Sequence, residues 1–223
     1  MRLSLPLLFL MLCFGSIAQN HPVFYAGLDL YRNTSFKDNV YGSFNVGAQV
    51  YQIGFFAPEV GYNYYAGWLP DREINKSNQN RFQYPDAIFE QEFSSSVLTL
   101  TPKLKFGKED AFLVISPKYH IGNLSTRASY FVNDNGDGKF PLTKFQESKS
   151  HISYWSFAIG FEGLQISSKY WFALSLNYNA ARIDDNWKAL DFSSYNLKAR
   201  AAGIACLGFG IRFYYDPFAS END

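Results

Sequence analysis

Three groups of side chains in this 223-residue chain have types and spacings that could do chemistry. His151 and Ser153 stand two residues apart, the start of a base–nucleophile pair. Such a pair still needs a third group to orient the base. In the stretch NDNGDGKF, residues 133–140, Asn133, Asn135, Asp137 and Gly138 fall at positions 1, 3, 5 and 6 of a calcium loop. Position 12 of that loop is Lys144, where the chemistry requires a bidentate glutamate, so no metal site is expected. The third group is a repeated dipeptide, Pro58-Glu59, Pro102-Lys103 and Pro117-Lys118, accompanied by Glu162 and Arg212. Nothing matches a phosphate loop, a dinucleotide fingerprint or a zinc site, and no cofactor is expected.

What these residues can do depends on the elements that hold them, and composition narrows those. Basic and acidic residues number 20 each, which gives nucleic acid no purchase. Charged residues make up 18%, below the usual quarter, while aromatics reach 19% and the mean hydropathy is only −0.19. Strands that alternate a greasy face with a small, polar one produce that combination. The N-terminus reads as a cleavable signal over residues 1–18. Arg2 supplies the positive start, residues 3–14 the apolar run, and Ser16 and Ala18 the small residues before the cut. Cleavage removes Cys13 and leaves Cys206 alone, so no internal disulfide is expected.

From residue 22 the hydrophobic period is two. Eight strands are expected, at 23–32, 43–53, 56–68, 93–106, 111–121, 151–162, 170–182 and 196–214. Each has about 10 residues or more, the length a tilted strand needs to cross a bilayer. The connections alternate. Those at 54–55, 107–110 and 163–169 are tight, and those at 33–42, 69–92, 122–150 and 183–195 are longer and more polar. An all-β, eight-stranded antiparallel up-and-down transmembrane β-barrel has that asymmetry, with short turns on one side and long loops on the other.

Alternation alone would also suit a soluble lipocalin-like ligand-binding barrel, whose apolar face points inward. The polar face decides between them. It carries Asn45, Gly47, Gly61, Asn63, Ser156, Gly160, Ser175, Asn177 and Gly208, not the long solvated chains of a water-facing sheet. Small residues are what the interior of a narrow barrel can hold, so the oily face is expected to meet lipid. The chain thus resembles the bacterial small outer-membrane β-barrel family, the eight-stranded OmpA- and OmpX-like barrels. The closing strand LGFGIRFYY is similar to the aromatic-rich last strand through which that family is recognised by the outer-membrane assembly machinery. Residues 19–214 would form the barrel and 215–223 a short periplasmic tail, in a Gram-negative cell outer membrane.

This placement sorts the candidates. Glu59, Lys103, Lys118, Glu162 and Arg212 take lumen parity and are expected to form a structural ion network that closes the barrel, with Lys103 the first partner of Glu59. His120 takes lumen parity as a satisfied polar residue. Bulges or distorted pairing are expected at the three prolines. His151 and Ser153 would face lipid near the outer rim, which resembles the outer-membrane lipid A deacylases and implies a lipid A-modifying hydrolase. Glu162 points inward and Glu147 lies in a loop, so the third member is missing and an enzyme is not expected. A surface-interaction role then falls to the loops at 69–92 and 122–150, with Phe82, Tyr84 and Phe89 as exposed aromatics. The expected partners are the lipid bilayer and another envelope or surface protein.

Overall fold

The computed structural model describes residues 18–19, 21–75, 84–108, 111–133 and 137–219; the expected signal falls almost wholly outside them. Eight principal strands run β1 (Val23–Arg32), β2 (Val40–Gln49), β3 (Phe56–Trp68), β4 (Ala87–Lys108), β5 (Ala111–Val132), β6 (Leu142–Ser167), β7 (Tyr170–Asn179) and β8 (Cys206–Tyr215). Each pairs antiparallel with the next, and β8 pairs back onto β1, from Gly208 opposite Tyr31 to Tyr215 opposite Phe24. The result is a closed up-and-down barrel without edges around its girth. Small strands add to it: Ala18–Gln19 pairs with Gln52–Ile53, and Arg72–Ile74 extends the top of β4.

Strands β4, β5 and β6, with 22, 22 and 26 residues, are far longer than the sequence pattern suggests. They absorb much of what reads as the long loops 69–92 and 122–150. The last strand, in contrast, begins at Cys206 and not at 196, and β7 stops at Asn179. The reason is a reversal of polarity along the long strands. In lower β4 the outward residues are Leu98, Leu100, Pro102, Leu104 and Phe106, while Thr99, Thr101, Lys103 and Lys105 point in and are buried. Above Val97 the outward side carries Glu90, Glu92, Ser94 and Ser96, and Phe89, Phe93 and Val97 are buried inside. In β5 the switch comes at Gly122: Ser116, Lys118 and His120 are buried below it, Leu124, Ala128 and Tyr130 above it. In β6 outward Glu147, Lys149, His151 and Ser153 give way to Trp155, Phe157, Ile159 and Phe161. Leu98 pairs with Ile121 and Ile121 with Ser153, so the reversal falls at neighbouring positions on all three strands.

The upper parts of β4–β6 form a curved fin, and the connection 180–205 fills its hollow. That segment holds a five-residue helix, α1 (Asp184–Lys188), and a small hairpin of Asp191–Phe192 with Leu197–Lys198. Ile183, Trp187, Leu190, Phe192 and Ile204 pack with Phe89, Phe93, Val97, Leu124 and Tyr130 in one apolar core. Trp187 is fully buried and donates from Nε1 to Ala202 O at 3.1 Å. Gln91 clamps the segment as a strand would: it accepts from Arg200 N at 2.9 Å and donates to Arg200 O at 3.3 Å. A cap of ordinary soluble-protein character therefore closes the top of the barrel.

The prolines line up. Pro58 sits opposite Pro102 without a register shift, so the bulge expected there is absent. Between β4 and β5 the pairing lapses from Thr101 to Lys103, opposite Ser116 to Lys118, and resumes in the same register. The distorted pairing expected at Pro117 is found there. Prolines facing one another leave no donors to pair, and the strands stay in step around the gap.

Candidate functional site

Below the cap, charged side chains fill the barrel. Glu59, on β3, takes its Oε1 hydrogen bond from Lys103 Nζ across the adjacent strand. The same oxygen accepts from Tyr214 OH at 2.9 Å, and Oε2 accepts from Arg212 at 2.9 Å. Lys103 also reaches Glu162 Oε2 at 2.9 Å. Glu162 Oε1 takes Lys105 Nζ at 2.7 Å and Trp171 Nε1 at 3.2 Å. Both carboxylates are thus bound by two cations and one neutral donor, and all of these charged groups are buried. Arg212 lies over the Tyr25 ring at 4.7 Å, and Lys103 over that of Tyr214 at 4.7 Å.

The structure brings four of the five sequence candidates into one network: Glu59, Lys103, Glu162 and Arg212. Lys118 stands apart and donates to Asn177 Oδ1 at 3.2 Å. Asn177 in turn donates to Asp29 Oδ1 at 2.8 Å, and Asp29 Oδ2 accepts from Ser43 at 2.9 Å and Asn45 at 3.0 Å. Sequence reasoning missed Lys105 and Asp29. Lys105 shares the parity of Lys103 two residues on, and Asp29 that of Gly27 and Tyr31, so the signal was present in both.

Small residues make the room. A Cβ at Gly61 would stand 2.2 Å from Tyr25 Oη, and one at Gly210 would stand 2.1 Å from Asp29 Oδ1. Between the charges and the cap lies a neutral layer. Thr99 Oγ1 accepts from Asn63 Nδ2 at 2.8 Å, which leaves its hydroxyl proton for His120 Nδ1 at 2.8 Å. His120 Nε2–H then donates to Ser156 Oγ at 2.7 Å, and the ring stacks on Tyr154.

His151 and Ser153 stand on one face of β6. Both are exposed on the outer side of β6, and His151 Nδ1 contacts Gly122 O at 3.3 Å. Glu147 is a strand residue, not a loop residue, and it is fully engaged. It accepts from Lys149 at 2.8 Å, Arg127 Nε at 2.8 Å and Ser125 Oγ at 2.7 Å. Those hydrogen bonds from Lys149, Arg127 and Ser125 hold its carboxyl down at about 2. A lowered carboxylate favours the folded fin above its ordinary titration range and loses that advantage as pH falls toward about 2. Protection factors of amides in upper β5 and β6, taken relative to the intrinsic exchange rate at each pH, should therefore fall on acidification through that window, and Glu147→Gln should remove the dependence.

Asp137 Oδ1 accepts from Lys139 N at 3.0 Å and Lys144 donates to Asp191 O at 2.7 Å; Asn135 lies outside the described residues. Among the described residues no group of three or more His, Cys, Asp or Glu could hold a metal. Of the loop aromatics, Tyr84 is exposed, Phe82 lies outside the described residues, and Phe89 is buried in the fin core because it faces inward on β4. The exposed apolar residues of the fin tip are instead Tyr84, Leu142, Phe145 and Tyr195. No protein-family model matches the sequence, and no curated protein does.

Proposed function

We propose that the chain is an integral outer-membrane barrel whose closed lower half serves as a membrane plug and whose fin presents a surface to partners outside the cell. One observation carries this reading. The outward residues are large and apolar over one band of the wall and polar above it, while the buried residues change in the opposite sense at the same level. In water a single sense of alternation serves the whole strand; two senses suit two solvents. Leu98, Phe161, Leu176 and Leu207 are each about 60% exposed or more, a poor arrangement for a water-facing wall. A lipocalin-like reading would need the apolar side inward over the same band, where Glu59, Lys103 and Glu162 lie. The hydrolase reading lacks its oriented base. Interaction is assigned to the fin because its tip exposes Leu142 and Phe145 beside polar neighbours, the composition of a protein-binding surface.

Fractionation and paired substitutions test this. Leu100→Arg, in the middle of the apolar band, should cost about 2–4 kcal/mol of stability in lipid vesicles. Ser94→Arg, three turns of the pleat higher on the same outward face, should stay within about 0.5 kcal/mol. Recovery of the native protein in a soluble fraction without detergent, or equal costs for the two substitutions, would overturn the reading.

A further inference from the structure

The barrel interior carries more positive than negative charge. Among the described residues Asp29, Glu59 and Glu162 are the buried carboxylates within the wall, against Lys103, Lys105, Lys118 and Arg212. The remaining buried carboxylate, Asp216, lies beyond the end of β8 and pairs with His21. Three against four leaves one formal positive charge. Glu59 and Glu162 are already saturated by their own cations, and Asp29 is bound by neutral amide and hydroxyl donors. Lys118 has three N–H donors, and its hydrogen bond goes to an amide oxygen rather than a carboxylate.

Beside Lys118 is a cavity of about 20 Å³, enough for one water-sized sphere. Lys103, Lys118 and Arg212 border it, with Ser116 and Ser175 supplying hydroxyls and Glu162 the one carboxylate. Ser116 is buried, and it stands on the cavity wall beside Lys118. Ser175 donates to Asn177 Oδ1 at 3.3 Å, the oxygen that also receives Lys118. Lys118 and Arg212 therefore bring positive charge and N–H donors, and Ser116 a hydroxyl, to a space whose one carboxylate, Glu162, is already bound by Lys103 and Lys105. A ligand suited to it accepts hydrogen bonds, donates none, carries one negative charge and has about the size of a water molecule.

We propose that this cavity binds a single halide ion, chloride under physiological conditions, held by Lys118 Nζ and the Ser116 hydroxyl and neutralising the barrel interior. The site depends only on the barrel interior and not on which solvent surrounds the wall. The intact protein is purified in detergent, or in plain buffer if fractionation finds it soluble. Its unfolding midpoint is then followed while chloride replaces gluconate at constant ionic strength. The wild-type midpoint should rise along a single saturable curve, bromide should act alike, and sulfate should not. Lys118→Met should abolish the rise or raise the half-saturating chloride concentration about tenfold or more. Crystals grown in bromide should show one anomalous peak in contact with Lys118 and Ser116. A wild-type midpoint indifferent to the chloride–gluconate exchange would overturn the proposal. So would an unchanged halide response in Lys118→Met, or bromide crystals without a peak in the cavity. If Lys118→Met does not fold, Ser116→Ala and the bromide crystals decide: Ser116→Ala should bind halide more weakly, and an unchanged response would also overturn the proposal.

Discussion

Lys103→Met is expected to lower the unfolding free energy by about 3–5 kcal/mol, among the largest effects of any single substitution in the lower barrel. Among the described residues Lys103 is the one cation paired with both Glu59 and Glu162. Methionine preserves much of the length and apolar bulk and removes the charge, so the loss reports electrostatics more than packing. Arg212 and Lys105 remain, one on each carboxylate, so neither carboxylate is left without a cation. Each nevertheless loses a charge-assisted hydrogen bond at a buried site. The control is Glu59→Gln in the Lys103→Met background. If the network works as described, removing the second charge should recover part of the loss, giving a coupling energy between the two sites. Urea unfolding in lipid vesicles measures Lys103→Met, Glu59→Gln and the double variant. A Lys103→Met protein as stable as the wild type would mean that the ion pairs contribute no net stability to the folded barrel.

Trp187→Ala should cost about 3–5 kcal/mol as well, but the loss should be confined to the cap. The indole is fully buried among Phe89, Leu124, Phe192 and their neighbours, and its Nε1–H satisfies Ala202 O. Alanine leaves both a cavity and an unpaired carbonyl. The cap is joined to the wall through the fin core, the Gln91 clamp, Tyr41, whose hydroxyl donates to Ile204 O at 2.6 Å, and side-chain hydrogen bonds of Asn33, Arg72, Lys144, Gln146 and Ser150. None of these is a strand of the closed ladder, so the segment 180–205 can open while the eight strands stay paired. Limited proteolysis should cut the variant within 180–205 under conditions that leave the wild type intact, with heat-modifiable migration of the barrel retained. Loss of the barrel together with the cap would show that the two fold as one cooperative unit.

The eight strands were legible because side chains alternate with period two wherever one face is apolar, as in Leu98–Phe106 and Leu207–Phe213. The true lengths of β4–β6 were not. Above Gly122 the alternation persists, but Asn123, Ser125 and Arg127 now face out and Leu124, Ala128 and Tyr130 face in. Serine, threonine and asparagine on the outer side read as loop when a single sense of polarity is assumed for the whole strand. The segment 196–205 failed in the opposite way. Its small, apolar residues, such as Ala199, Ala202 and Ile204, suit a strand, yet they are placed by packing against a core whose other half is distant in sequence. The pairing of Glu59 with Lys103 followed from parity and strand order. That Arg212 joins them from β8 depends on closure of the barrel, and that Lys118 does not depends on depth and rotamer, which no sequence pattern specifies.

Pro58, Pro102 and Pro117 stand in a row on three adjacent strands, the ladder lapses between Pro102 and Pro117, and each proline is followed at once by a charged side chain pointing inward. Beside the gap between β4 and β5, Lys103 is tied to Glu59 on β3 and reaches past β5 to Glu162 on β6. The barrel is in this sense braced from within at its weakest ring, as a hoop is held by spokes. Exchanging the prolines for residues with an N–H would restore the ladder, and the wall would then rely less on its interior charges.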